Sequence, residues 1–327
     1  MSDSKIFDHG LSDYMSNANN PEKIDQHYVP RLYLRAWTID NRLFRLMNGK
    51  IEHKGTKAFA KEKYFYKLHG LTEADIRFIE RVAIHDSPTH LQPRHRTFVR
   101  MFSEAPKLME KVADIQPTPT ALHALLTERI VNTEENFHEK IERHLKRSID
   151  CMLAGDISFY SDDEELAGFF WHISVQYMRT NAMRQAMYSL RSVPENGASM
   201  ERVWHILSHI FAVNIGWSLF ADRKLFQLVL LDNSTSTPFI TGDQPIINTH
   251  GSIHTGISVS PGQLELFYPL SPRKAMLLAA ISDGQADSVR SVSAIEVETY
   301  NFMIVRNSHE QLFCDSKEYL ETMKRFL

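Results

Sequence analysis

Residues 26–37, Gln26-His27-Tyr28-Val29-Pro30-Arg31-Leu32-Tyr33-Leu34-Arg35-Ala36-Trp37, gather an imidazole, two guanidinium groups and three aromatic rings in an otherwise apolar run. An imidazole can move a proton near neutral pH, and paired arginines can hold a phosphate or carboxylate. Pro30 biases Val29 towards an extended backbone and fits the first turn of a helix, so a short helix from Arg31 is expected, with Arg31 and Arg35 on one face. A second polar set lies in the apolar helix expected from Ser161 to about Leu190, where His172, Gln176 and Arg179 fall at i, i+4 and i+7. Such a stripe lines a wet pocket, joins an internal hydrogen-bond network or meets the bundle's rim, because a buried polar group left unpaired costs about 1–3 kcal/mol. Asp243 follows an apolar run and Gly242 and precedes Gln244-Pro245. It reads either as a strand-end carboxylate offered to a ligand or as a turn residue bonding its own backbone.

The elements that must position these groups are legible in outline. Residues 1–23 are polar and form an expected flexible arm. Asn48-Gly49 between Arg42–Met47 and Lys50–His53 signals a hairpin, since both turn residues accept positive φ. Lys61–Lys67 has the look of an edge strand framed by lysines, or of an aromatic patch for nucleic-acid bases. From about 72 to 221 the apolar spacing is helical, and after Asp222 short apolar runs separated by turn residues point to a sheet. The expected fold is α+β: a mainly helical bundle in the middle, with a small antiparallel or mixed sheet built from the N-terminal hairpin and the C-terminal third. One domain over 24–327 would carry the helical insertion at 72–221.

Metal-ligating patterns are incomplete. His85, His90 and His95 recur at a five-residue step interrupted by Pro88 and Pro93, which suits solvated or capping histidines. Glu135 and His138 form one Glu-x-x-His pair without the second pair that a di-iron bundle requires. His205 and His209 stand at i, i+4, but Ile206 occupies the place of the zincin glutamate, and both are expected half exposed. No phosphate-binding loop, dinucleotide fingerprint or hydrolase elbow is found. With Lys+Arg 37 against Asp+Glu 40 the net charge is −3, which gives no global attraction to nucleic acid or anionic membrane. Two distant cysteines, Cys151 and Cys314, fit a reducing compartment, and no uninterrupted apolar run spans a bilayer. A cytoplasmic protein without a membrane partner is expected.

The run at 26–37 resembles the opening signature of the domain-of-unknown-function family numbered 4238. The likeness continues in Ile240-Thr241-Gly242-Asp243-Gln244-Pro245, Tyr268-Pro269-Leu270-Ser271-Pro272-Arg273, and Asn301 with Val305-Arg306-Asn307-Ser308. Arg179 with Thr180 matches an arginine of the family's central helix, whereas Gly242 stands where the family usually has Ser. The resemblance implies a bacterial source and no particular chemistry. Residue types and resemblance together suggest two alternatives. In one, a nuclease-like phosphodiester hydrolase, His27 is the acid or base, Asp243 orients it or holds a metal, and Arg31, Arg179 and Arg273 stabilise an anion. In the other, a binding or sensor protein, Tyr28, Arg31, His172, Gln176, Arg179, Arg273 and Asn301 contact a small anionic ligand or nucleic acid without breaking a bond. A third arrangement is a purely structural network joining the chain's ends. No cofactor is evident, and a divalent metal is the one a hydrolytic site would take.

Overall fold

The structure, a computed structural model, describes residues 21–113, 115, 120–189, 197–250, 264–281 and 288–326. The arm expected over 1–23 lies outside them except for its last three residues, and so does Thr118-Pro119, a pair whose types signal a helix start in the sequence. Strand β1 (Asp25–His27) runs through Pro30 into α1 (Arg31–Leu34) and a 3-10 turn over Arg35–Trp37. The hairpin of β2 (Leu43–Met47) and β3 (Lys50–Lys54) turns on Asn48 and Gly49, at φ 51° and 70° as the sequence requires. Of the expected strand at 61–67 only β4 (Lys61–Lys63) forms, antiparallel to β1, because Tyr64 turns to φ 58° and leaves the ladder.

The helical middle contains α2 (Glu73–Ile79), α3 (Gln92–Ala113), α4 (Thr120–Ala154), α5 (Asp163–Met178), α6 (Asn181–Tyr188) and α7 (Met200–Ala221). Thr72 and Asp75 close a capping box at α2. The single helix expected from Ser161 to Leu190 is two, since the Thr180 hydroxyl accepts from Met183 N and starts α6. Its first cap is Asp162, which accepts from the amides of Glu164 and Glu165, one residue beyond Ser161. Helices α5 and α7 pack closely at Gly216, where a Cβ would stand 2.9 Å from Trp171 Cα. Contrary to the sequence expectation, α7 is long and apolar enough to cross a membrane by length and composition. Its apolar window is 72% buried within the fold, which accounts for that composition.

The C-terminal third adds β5 (Phe226–Asp232), β6 (Thr241–Gly242), β7 (Ile247–Asn248), β8 (Glu265–Ser271), β9 (Lys274–Ala280), β10 (Ser288–Ser291), α8 (Ala294–Asn307), β11 (Leu312–Cys314) and α9 (Lys317–Met323). Five strands order as β10-β5-β9-β8-β7, antiparallel except for the parallel β10-β5 edge. A second sheet orders as β3-β2-β11-β6, so the N-terminal hairpin pairs with the C-terminal third. The architecture is α+β, with the helical region between the two parts of that sheet.

Candidate metal centre and the network beside it

Helix α4 carries Glu134 and His138 on one face, a single turn apart, and α7 brings His209 against them. His209 Nε2 lies 3.1 Å from Glu134 Oε1, and His138 Nε2 lies 3.6 Å from the same oxygen. One donor atom from each residue falls within 4.8 Å of the others. Donors sharing a tetrahedral first-row ion, at bonds of roughly 2.0–2.2 Å, stand about 3.3–3.6 Å apart, so a small contraction would close the set. All three side chains are at most 2% exposed. Phe98, Phe102 and Phe137 surround the His209 ring at 5.4, 5.0 and 5.0 Å, and Tyr66 lies 4.5 Å from that of His138.

Burial in this apolar surround sets the protonation. It pushes the Glu134 carboxyl well above the usual carboxylate range, opposed by the nearby charge of Arg179. Burial also drives His138 far below the ordinary imidazole value and His209 down to about 3. Burial thus favours the uncharged form of each of the three groups when no ion is present. Glu134 Oε2 and both His138 nitrogens have no hydrogen-bond partner among the described residues. Buried polar atoms left this way cost about 1–3 kcal/mol each, and a divalent cation held by Glu134 and one nitrogen of each imidazole would relieve part of that cost.

A cavity of about 380 Å³ reaches Glu134, with Tyr66, Arg179, Arg184, His205 and Ser208 in its walls. Lys67, His69, Glu62 and Glu201 also border it. His205, one turn before His209, is buried with its Nε2 unpartnered among the described residues, and burial lowers it to about 3. The expectation that His205 and His209 are half exposed is thus corrected: α7 is covered on nearly every side. His95 is likewise buried rather than solvated, its Nε2 2.9 Å from Asn214 Oδ1. The Glu that joins His138 is Glu134 rather than Glu135, which burial raises to about 7 against the opposing charge of Arg179.

Most residues singled out from the sequence meet in a buried network beside this centre. Arg179, at the break between α5 and α6, donates from Nε to Tyr66 Oη (2.8 Å), from Nη1 to Glu142 Oε1 (2.7 Å) and from Nη2 to the His27 carbonyl (2.7 Å). Gln176 Nε2 reaches the Tyr28 carbonyl at 3.4 Å, and Gln311 Nε2 donates to the Tyr28 hydroxyl at 2.7 Å. Asp243 is fully buried, its carboxylate accepting from the amides of His309, Glu310 and Gln311 at 2.7, 2.8 and 3.1 Å. Burial raises its pKa while those amides pull it back. Thus His27 and Arg179 touch through a carbonyl, and Asp243 joins them by way of Gln311 and Tyr28. The His27 ring is lowered to about 4 by burial and by Arg31 and Lys61. Gly242 is tightly placed: a Cβ there would overlap Ser308 Oγ and come 3.0 Å from Ser308 Cβ.

Other residues lie elsewhere. His172 faces a separate cavity of about 600 Å³ beside His144 and Trp171, with Arg94 over the Trp171 ring at 4.6 Å. Asn301 is buried, receiving Ile240 N and donating to Pro238 O and Tyr319 Oη. Arg273 is exposed on the β8–β9 turn, where Nη1 donates to the Thr235 carbonyl. Arg31 is half-buried at the start of α1.

Fold and site together define an α+β protein with a buried two-histidine, one-carboxylate group beneath a polar cavity. The chain belongs to DUF4238, a family of proteins of unknown function, whose pattern matches residues 25–318. No curated protein and no solved structure matches the chain.

Proposed function

We propose that the chain is a metal-dependent hydrolase, with one divalent transition ion held by Glu134, His138 and His209. The observation that carries this reading is a carboxyl and two neutral imidazoles buried together with three of their polar atoms unpartnered, at the end of a cavity. Two imidazoles and a carboxylate suit zinc or another first-row ion, and three protein ligands leave a coordination position open. Such an ion lowers the pKa of bound water to near 7, supplying hydroxide at neutral pH. The chain's own contribution is a dry aromatic surround, a polar approach and Tyr66 held by Arg179 in the cavity wall. Hydrolysis would add the hydroxide to the electrophilic centre, break the bond to the leaving group and return a proton to it. The test is zinc- and manganese-loaded protein against 4-nitrophenyl acetate, 4-nitrophenyl phosphate and bis(4-nitrophenyl) phosphate. Turnover of at least one ester that disappears with chelator and in His209→Ala is expected. Metal-bound protein that turns over none of them faster than His209→Ala would defeat the hydrolase reading.

A further inference from the structure

We infer that the cavity above Glu134 takes a phosphate group and that Arg184 is its anchor, which makes a phosphate ester the substrate class; this rests on the metal reading of the same site. Arg184 lies on α6, in the cavity wall with Glu134, its guanidinium 3.9 Å from the centre of the Phe65 ring. Stacking on an aromatic face fixes the plane of the group and leaves its edges for hydrogen bonding. Nη2 is occupied, donating to Glu62 Oε2 at 2.6 Å and Asn181 Oδ1 at 3.0 Å. Nη1 makes no hydrogen bond among the described residues and, unlike Nε, is not sealed from solvent. An oriented guanidinium with an open donor, in a cavity that reaches a metal group, is the arrangement that holds an oxyanion.

Charge agrees with this assignment. Arg179 is neutralised by Glu142 and Arg184 by Glu62, while Lys67 and Glu201, both exposed at the border, offset each other. The ion's two positive charges against the single carboxylate of Glu134 therefore leave the cavity with a surplus that an anion would balance. Lys67, 5.6 Å from the Tyr64 ring centre, makes no ion pair among the described residues, so its balance with Glu201 is one of formal charge alone. Hydrolysis of a phosphate ester would place the hydroxide on phosphorus, break the phosphorus–oxygen bond to the leaving alcohol and pass a proton to that alcohol.

Calorimetric titration with inorganic phosphate tests the assignment, using zinc-loaded and zinc-free wild type, Arg184→Gln and Glu62→Gln, each with its zinc stoichiometry measured. Zinc-loaded wild type is expected to bind phosphate, and Arg184→Gln to bind it at least about tenfold more weakly with unchanged zinc content. Glu62→Gln, which releases Nη2 from its carboxylate, is expected to bind phosphate more tightly and guards against a misfolded arginine variant. Zinc binding without phosphate binding, or equal affinity in wild type, Arg184→Gln and Glu62→Gln, overturns the anchor and leaves the metal centre standing. Phosphate binding that needs Arg184, in a protein that takes up no stoichiometric zinc, supports the anchor and removes the metal reading instead.

Discussion

Replacing Arg179 by Met removes a buried guanidinium but keeps an apolar stem of similar length, so the cost isolates the polar contacts. Three are lost: the ion pair with Glu142, whose two side chains are 3% and 16% exposed, and the bonds to Tyr66 Oη and the His27 carbonyl. Burial alone would pull the Arg179 pKa down, yet Tyr66, Glu142 and Glu135 raise it overall, so the group stays charged across the accessible range. Breaking a buried pair by deleting one partner costs about 3–5 kcal/mol. Glu142 reaches some water, which places Arg179→Met near the middle of that range. Arg179→Lys keeps one charge for Glu142 and forfeits the two other bonds, for about 2 kcal/mol at a net of about 1 kcal/mol per bond. Urea unfolding followed by circular dichroism reads both values, with the m-value checking that the unfolded state is unaltered. The positive charge favours ionised Glu134, yet binding a dication adds net positive charge beside Arg179, so zinc affinity should rise in Arg179→Met and change little in Arg179→Lys. A loss below about 1 kcal/mol in Arg179→Met would refute the view that this arginine ties β1 to the helical region.

Asp243→Asn should cost about 2–3 kcal/mol, because an amide oxygen cannot serve all three amides of His309, Glu310 and Gln311 and the new NH2 faces a donor; zinc content should not change. Gly216→Ala should lower stability by about 1–3 kcal/mol despite alanine's better helix propensity, since its Cβ meets the Trp171 backbone, and thermal unfolding measures it. Acid sensitivity follows from histidines buried neutral. His172 falls to about 3 and His27 and His95 to about 4, each mainly through burial, against about 6.5 in the unfolded chain. The unfolded state then binds more protons, so stability is complete above about pH 6.5 and is lost progressively as pH falls towards 4. Each such group contributes a slope of up to about 1.4 kcal/mol per pH unit in that window, and His95→Gln should flatten the profile measured by urea midpoints.

The fold was legible where local chemistry decides it. Asn48-Gly49 dictates its hairpin, the carboxylates after Asp162 suit a helix start, and the alternation of apolar runs with turns after Asp222 marks the sheets. The motif residues were legible as a set because Tyr28, Gln176, Arg179 and Asp243 are polar groups in apolar surroundings, and such groups find one another when buried. Less visible was the metal group. His138 and His209 come together because α3 and α5 each pack on both α4 and α7, and no spacing in the chain encodes that arrangement. The Glu-x-x-His spacing drew attention to Glu135, yet a carboxylate one residue earlier shares the His138 face one turn away. A usable signal was the pairing of Glu134 with His138 and of His205 with His209, each at i, i+4 on a helix with an apolar surround. Likewise the break at Thr180 depends on a hydroxyl cap, which a long apolar run conceals.

Whether Glu134, His138 and His209 bind one metal ion is read plainly from the absorption spectrum of cobalt-substituted protein, with metal content measured in parallel. One equivalent of cobalt per chain, visible bands of a nitrogen- and oxygen-ligated ion, displacement by zinc, and loss of the ion in both His138→Ala and His209→Ala are expected. Affinity should also rise with pH, because the ion displaces the Glu134 proton into solvent. A folded protein that takes up no stoichiometric metal, or one whose His138→Ala and His209→Ala variants bind it as tightly, would contradict metal binding by these three residues.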